Sequence, residues 1–124
     1  SPDQPQILNY MGYSLLERQE KLDQAMRMIS LAAEQAPDSY HIIDSLGWAY
    51  YKSGEFEKAL LYLEQAMELE STDPIVNDHL GDVLWMLGRK REAQFQWKKS
   101  LSFKPEPVDQ KKIENKLLFG LNLR

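Results

Sequence analysis

At 124 residues, with 43% hydrophobic content and no cysteine, the chain suits one modest domain with a single core and can form neither disulfides nor thiolate metal sites. No apolar run approaches 18 residues and no charged-then-apolar leader opens the sequence as given, so nothing in it reads as a membrane span or a signal peptide. The net charge of −4 is unevenly spread: residues 1–70 hold 5 Lys/Arg against 12 Asp/Glu, whereas residues 71–124 hold 10 against 7. A solvated helical surface accounts for such a gradient, and a missing thiol fits cytosol and periplasm equally.

Asp3 and Pro5 stand where a helix is capped and started, and Leu8, Met11, Gly12 and Leu15 follow at helical spacing. The Glu17-Arg18-Gln19-Glu20 turn has no glycine, so it must avoid or strain the left-handed conformation. Leu22, Ala25, Met26, Ile29, Ala32, Ala33 and Ala36 then form a second stripe that stops at Pro37. Asp38 and Ser39 are N-cap candidates for a helix over Tyr40–Lys52, which Ser53-Gly54 ends. Phe56, Ala59, Leu60, Leu63, Ala66, Met67 and Leu69 predict its partner helix. Asp73 before Pro74 is a favourable helix start, and a third helix pair runs through Leu80-Gly81 to Leu87, then from Arg89 through Trp97 and Leu101 to Pro105. Beyond Glu106-Pro107, Ile113, Leu117 and Leu121 recur at four-residue spacing, with Lys111, Lys112, Glu114 and Lys116 expected on the outer side.

The stretch Leu46-Gly47-Trp48-Ala49-Tyr50 returns 34 places later as Leu80-Gly81-Asp82-Val83-Leu84. Gly47, Gly54, Ala59, Ala66 and Ser71 likewise recur as Gly81, Gly88, Ala93, Ser100 and Pro105. This offset, with its Leu-Gly pair and its spaced small residues, resembles the tetratricopeptide repeat, a helix-turn-helix unit that stacks into arrays. The first unit departs by one inserted residue: Gly12 to Ala25 is 13 places where Gly47 to Ala59 is 12. The resemblance implies an all-α, right-handed α-α superhelix. It has three helix pairs, about residues 5–38, 39–73 and 74–106, and a capping helix over about 107–121 that covers the last apolar face. No comparable lid precedes Ile7, so further repeats are expected upstream. Longer matches such as Asp44–Tyr51 and Phe95–Leu101 look like the C-terminal part of long bacterial, chiefly proteobacterial, tetratricopeptide proteins, some of them adaptors for other proteins.

At about 100° per residue, Ile43, Leu46, Gly47 and Tyr50 share one side of their helix, and His41, Asp44, Trp48 and Tyr51 share another. The first set is expected to hold the fold, with Gly47 and Ala59 small because two helices approach there. The resemblance places the second set in a concave groove lined by the first helix of each pair. Carried over, the groove comprises Asn9, Tyr13 and Leu16, then His41, Asp44, Ser45, Trp48, Tyr51 and Lys52, then Ile75, Asp78, His79, Asp82, Trp85 and Met86. The other reading of Trp48 and Trp85 is that they plug between helices. The carboxylate clamp of chaperone-binding relatives is not reproduced: its Lys, Asn and Arg positions hold Asn9, Tyr13, Ser45, Ile75 and His79. Recognition of an acidic tail is therefore not expected; Asp44, Asp78 and Asp82 favour a neutral or basic, partly apolar segment.

Two histidines without cysteine, a Ser/His/Asp set or a phosphate-binding glycine loop fall short of a catalytic or metal constellation, so neither an enzyme nor a cofactor is expected. The basic run Arg89-Lys90-Arg91 lies on a second helix, away from the acidic groove, which argues against nucleic acid. Two functions stay open: a protein-binding scaffold or adaptor using the groove, and a structural spacer or self-association segment of a longer solenoid.

Overall fold

The computed structural model describes residues 4–121 and contains, among them, seven helices and no strand. They are α1 (Gln4–Glu17), α2 (Leu22–Gln35), α3 (Tyr40–Lys52), α4 (Phe56–Leu69), α5 (Pro74–Met86), α6 (Lys90–Ser102) and α7 (Pro107–Phe119). Consecutive helices pair as α1 with α2, α3 with α4 and α5 with α6, the three hairpins that the repeat spacing predicts. The fold class is therefore the all-α helical repeat. The boundary between two compact units falls between Leu69 and Glu70, so repeats one and two form the first and repeat three with α7 the second.

Each hairpin closes on the same contact. A Cβ placed on Gly12 would lie 3.1 Å from the Ala25 carbonyl and 2.7 Å from Ile29. On Gly47 it would lie 3.3 Å from the Ala59 carbonyl and 2.8 Å from Leu63, and on Gly81 3.1 Å from the Ala93 carbonyl and 2.5 Å from Trp97. The glycine and alanine thus let two backbones touch, and the residue four places after the alanine fills the space above. The turns are equally regular: Glu55 N–H donates to the Tyr50 carbonyl at 2.9 Å and Arg89 N–H to the Leu84 carbonyl at 2.9 Å. Gly54 and Gly88 supply the left-handed residue, both at φ +81°.

Repeat one makes the same turn without glycine. Glu20 N–H donates to the Leu15 carbonyl at 3.0 Å, and Gln19 takes the left-handed place at φ +55°. Lys21, at φ +47°, absorbs the inserted residue before α2. A side chain in this region costs about 1 kcal/mol or more. Gln19→Gly is accordingly expected to raise stability by about 1 kcal/mol, read as a higher urea midpoint at unchanged slope.

Of the expected caps, Asp73 is realised in full: its Oδ1 accepts from Ile75 N–H at 2.8 Å and Val76 N–H at 3.1 Å, with Pro74 opening the helix. Ser39 stands at the N-cap of α3 but its side chain makes no cap bond. Asp3 lies outside the described residues.

In the first unit α3 touches α1, α2 and α4. Eight consecutive residues, Ile42 to Ala49, are consequently buried, and Leu16, Ala25, Ile29, Leu46, Trp48 and Ala49 form one apolar cluster. In the second unit α6 packs on both α5 and α7. Trp97 is fully buried there, and the Ser100 hydroxyl donates to the Pro74 carbonyl at 2.6 Å, tying α6 to the start of α5.

Candidate partner-binding site

In the first unit, the groove positions separate into a floor and a rim. Leu16, Asp44, Ser45 and Trp48 are buried, because three helices crowd α3 where its periodicity marks only one packed face. The Ser45 hydroxyl is turned inward and donates to the His41 carbonyl at 3.0 Å. His41 is exposed and its ring lies 4.0 Å from that of Tyr40. Asn9, Tyr13, Tyr51 and Lys52 are half-buried. Tyr13 and Tyr51 both pack against the cluster that contains Trp48. Tyr51 stacks flat on Trp48, centroids 4.5 Å apart and planes within 9°, and the Lys52 ammonium stands 5.2 Å from the Trp48 ring centroid. The result is an aromatic strip on two adjacent first helices, with Trp48 as support and the tyrosines as surface.

In the second unit the acidic positions are already engaged. The Lys116 ammonium, on α7, donates to Asp78 Oδ1 at 2.6 Å and Asp82 Oδ1 at 2.9 Å, and the Trp97 indole N–H donates to Asp82 Oδ1 at 3.0 Å. Lys116 therefore points inward, against the expectation that it lies on the outer side of the last helix; Lys111, Lys112 and Glu114 are exposed as expected. The sequence held a signal for this: Lys116 lies only about 60° from Ile113 around the helix, and Ile113 is buried. His79 is buried beside this cluster, Trp85 lies 5.6 Å from Trp97, and Gly120 abuts Trp85 so closely that any side chain there would collide with it. Ile75 is exposed and Met86 half-buried.

Burial pushes the Asp82 carboxyl up to about 6, the Asp78 charge adds to this, and Lys116 opposes it. Burial pushes the Lys116 ammonium down, but the charges of Asp82 and Asp78 and its hydrogen bonds to them outweigh that and leave it raised. Between about 6 and 3.8 the folded chain holds a proton on Asp82 that the unfolded chain does not. This group thus makes stability rise as pH falls through that window and fall as pH rises through it. Urea midpoints of the chain at pH 7 and pH 5 should show this gain on acidification, and Asp82→Asn should reduce it.

Among the described residues no group of three or more His, Asp or Glu is placed to hold a metal ion, and no helix is long and apolar enough to cross a membrane.

The tetratricopeptide repeat family model matches residues 42–73, which is one repeat. The TPR repeat-containing protein PA4667 of Pseudomonas aeruginosa is 37% identical over 81 residues, which cover 65% of this chain and 14% of that protein. The chain thus spans a small part of the curated relative that it matches. Among solved structures, the Yersinia enterocolitica type III secretion translocator chaperone SycD superposes with a TM-score of 0.82 at 16% identity, over 95% of this chain and 92% of that one. The first TPR of Spaghetti (RPAP3), bound to an HSP90 peptide, gives 0.76 at 17% identity over 95% and 96%. These similarities agree with the glycine-alanine contact, the turn bonds and the 34-residue offset. Residues 42–73 thus match one tetratricopeptide repeat, and the described chain has the all-α helical-repeat fold of these structures.

Proposed function

We propose that this segment is a scaffold or adaptor module that holds a partner's peptide segment along α1 and α3. The observation that carries the reading is the strip formed by Tyr13 and Tyr51, both packed against the Trp48 cluster, with Asn9, His41 and Lys52 accessible on the same two helices and their ends. Tyrosines of this kind offer large contact area with little entropy to lose, and they rest on a support that does not have to move. On α5 the corresponding accessible positions are Ile75, Trp85 and Met86. Asp78 and Asp82 are already engaged by Lys116, so preference for a neutral or basic, partly apolar segment rests instead on the acidic excess of residues 1–70. The Spaghetti structure holds the HSP90 peptide SRMEEVD, but Asn9, Tyr13, Ser45, Ile75 and His79 offer no Lys or Arg to receive an acidic tail of that kind.

Selection of a random peptide library on the immobilised chain tests this. Tyr13→Ala and Tyr51→Ala should each weaken the selected peptides by about 2 kcal/mol, as interface anchors do, while helix content by circular dichroism stays unchanged. Peptides that bind both variants undiminished but lose affinity when Arg89, Lys90 and Arg91 are changed would place the site on α6 and the turn before it, and end the reading.

A further inference from the structure

We infer that the exposed face of α6 docks on the exposed face of α4 in a second copy of this chain. With Ala59 set on Ala93, Glu57, Leu61, Glu64 and Glu68 correspond to Arg91, Phe95, Lys98 and Ser102. Each set lies within about 60° around its helix, and all eight residues are exposed. At the centre of each stands a large apolar side chain turned to water, Leu61 at 55% and Phe95 at 60% exposed. The charge around that centre is inverted: α4 carries three glutamates against one lysine, and α6 four Lys/Arg against one glutamate. The minority charges are engaged by near neighbours, Lys58 with Glu55 at 3.4 Å and Glu92 with Arg89 at 2.7 Å. Lys99, whose ammonium stands 5.8 Å from the Phe95 ring centroid, adds to the basic side.

The repeat itself does not require this pattern. In α2 the same positions hold Asp23, Arg27, Ser30 and Glu34, which are of mixed sign and put a cation where the other two helices put a leucine and a phenylalanine. A solvated surface accounts for the charges, but not for their reversal around an apolar centre kept at one register in two helices and absent from the third. Two such faces supply the parts of an interface: an apolar centre that excludes water, and a charged rim that selects the partner and fixes its register. Like faces repel, so α4 pairs with α6 rather than with another α4. Exposed ion pairs are individually weak, so the contact belongs to high concentration and low salt. It uses helices other than α1 and α3 and does not depend on the tyrosine strip.

Sedimentation equilibrium of the chain over a concentration series tests this. At about 0.02 M salt the mass should rise above that of the monomer by about 1 mM chain, and the apparent Kd should increase about tenfold or more at about 0.5 M salt. Arg91→Glu with Lys98→Glu makes both faces acidic and should abolish the association, as should Glu57→Lys with Glu64→Lys, which makes both basic. All four substitutions together exchange the two charges at unchanged net charge and should restore it. Phe95→Ser, which leaves every charge in place, should weaken it by about tenfold or more. These positions are exposed, so helix content by circular dichroism should stay at the parent's level in every variant. A parent that stays monomeric at low salt would overturn the inference. So would reversed pairs or a Phe95→Ser variant that associate like the parent, as pairing through another face would produce, or a helical four-substitution chain that stays monomeric.

Discussion

Trp48→Ala should destabilise the first unit by about 3–5 kcal/mol, the cost of removing a large buried aromatic. The side chain is only 8% exposed and shares a cluster with Leu16, Ala25, Ile29, Leu46 and Ala49, contributed by three helices. Truncation leaves a cavity that a junction of three helices cannot close without moving all of them. The measurement is equilibrium unfolding in urea followed by far-ultraviolet circular dichroism, with Tyr51→Ala as the comparison, because Tyr51 is half-buried and should cost far less. A loss below about 1 kcal/mol would mean that Trp48 is held at the surface rather than in the core. The expected outcome also governs how binding data are read. Tyr51 rests flat on Trp48, so a Trp48 variant would lose a ligand through a displaced tyrosine as well as through its own contacts, and the tyrosine variants are the cleaner probes.

Lys116→Met should destabilise the second unit by about 3 kcal/mol at neutral pH, as removal of one partner from a buried ion cluster does. The ammonium serves two carboxylates that otherwise face each other on α5, and its side chain is largely buried against them. Without it, burial and the neighbouring Asp78 charge act on Asp82 unopposed, so the loss should shrink at pH 5, where Asp82 takes up its proton more readily. Adding Asp78→Asn and Asp82→Asn to Lys116→Met should restore most of the stability, because a neutral set avoids the desolvation of charge altogether. The readout is the urea midpoint of the parent, Lys116→Met, the paired Asp78→Asn and Asp82→Asn variant, and the combination of all three substitutions. A Lys116→Met midpoint within error of the parent would show that α7 is held by Ile113 and Leu117 alone.

The position of α7 shows where local pattern stops being informative. Its start at Pro107 and its buried Ile113 were legible, because a proline at the first turn and a four-residue apolar spacing are properties of the segment itself. The inward turn of Lys116 was legible only in part: its place about 60° from Ile113 puts it near the packed face, but the two carboxylates that hold it there lie 34 and 38 places away and across a helix seam. The same holds for His79 and Asp82, which look like surface polar residues on an exposed helix and are buried. Their burial follows from neighbours that no window of the sequence contains.

The sequence by itself determined the seven helices, the hairpin pairing, the Asp73 cap, the turn glycines and their absence from the first turn, and the glycine-alanine contact of each repeat. These depend on backbone conformation and on interactions within about thirty residues, which recur in the text of the chain as they recur in space. Only the tertiary structure decided which faces are covered. α1 and α3 share a register, yet Ile7 and Tyr10 are exposed where Ile42 and Ser45 are buried. Helical periodicity marks a face as apolar, whereas the number of helices packed around it sets whether that face is core, support for a surface or exposed.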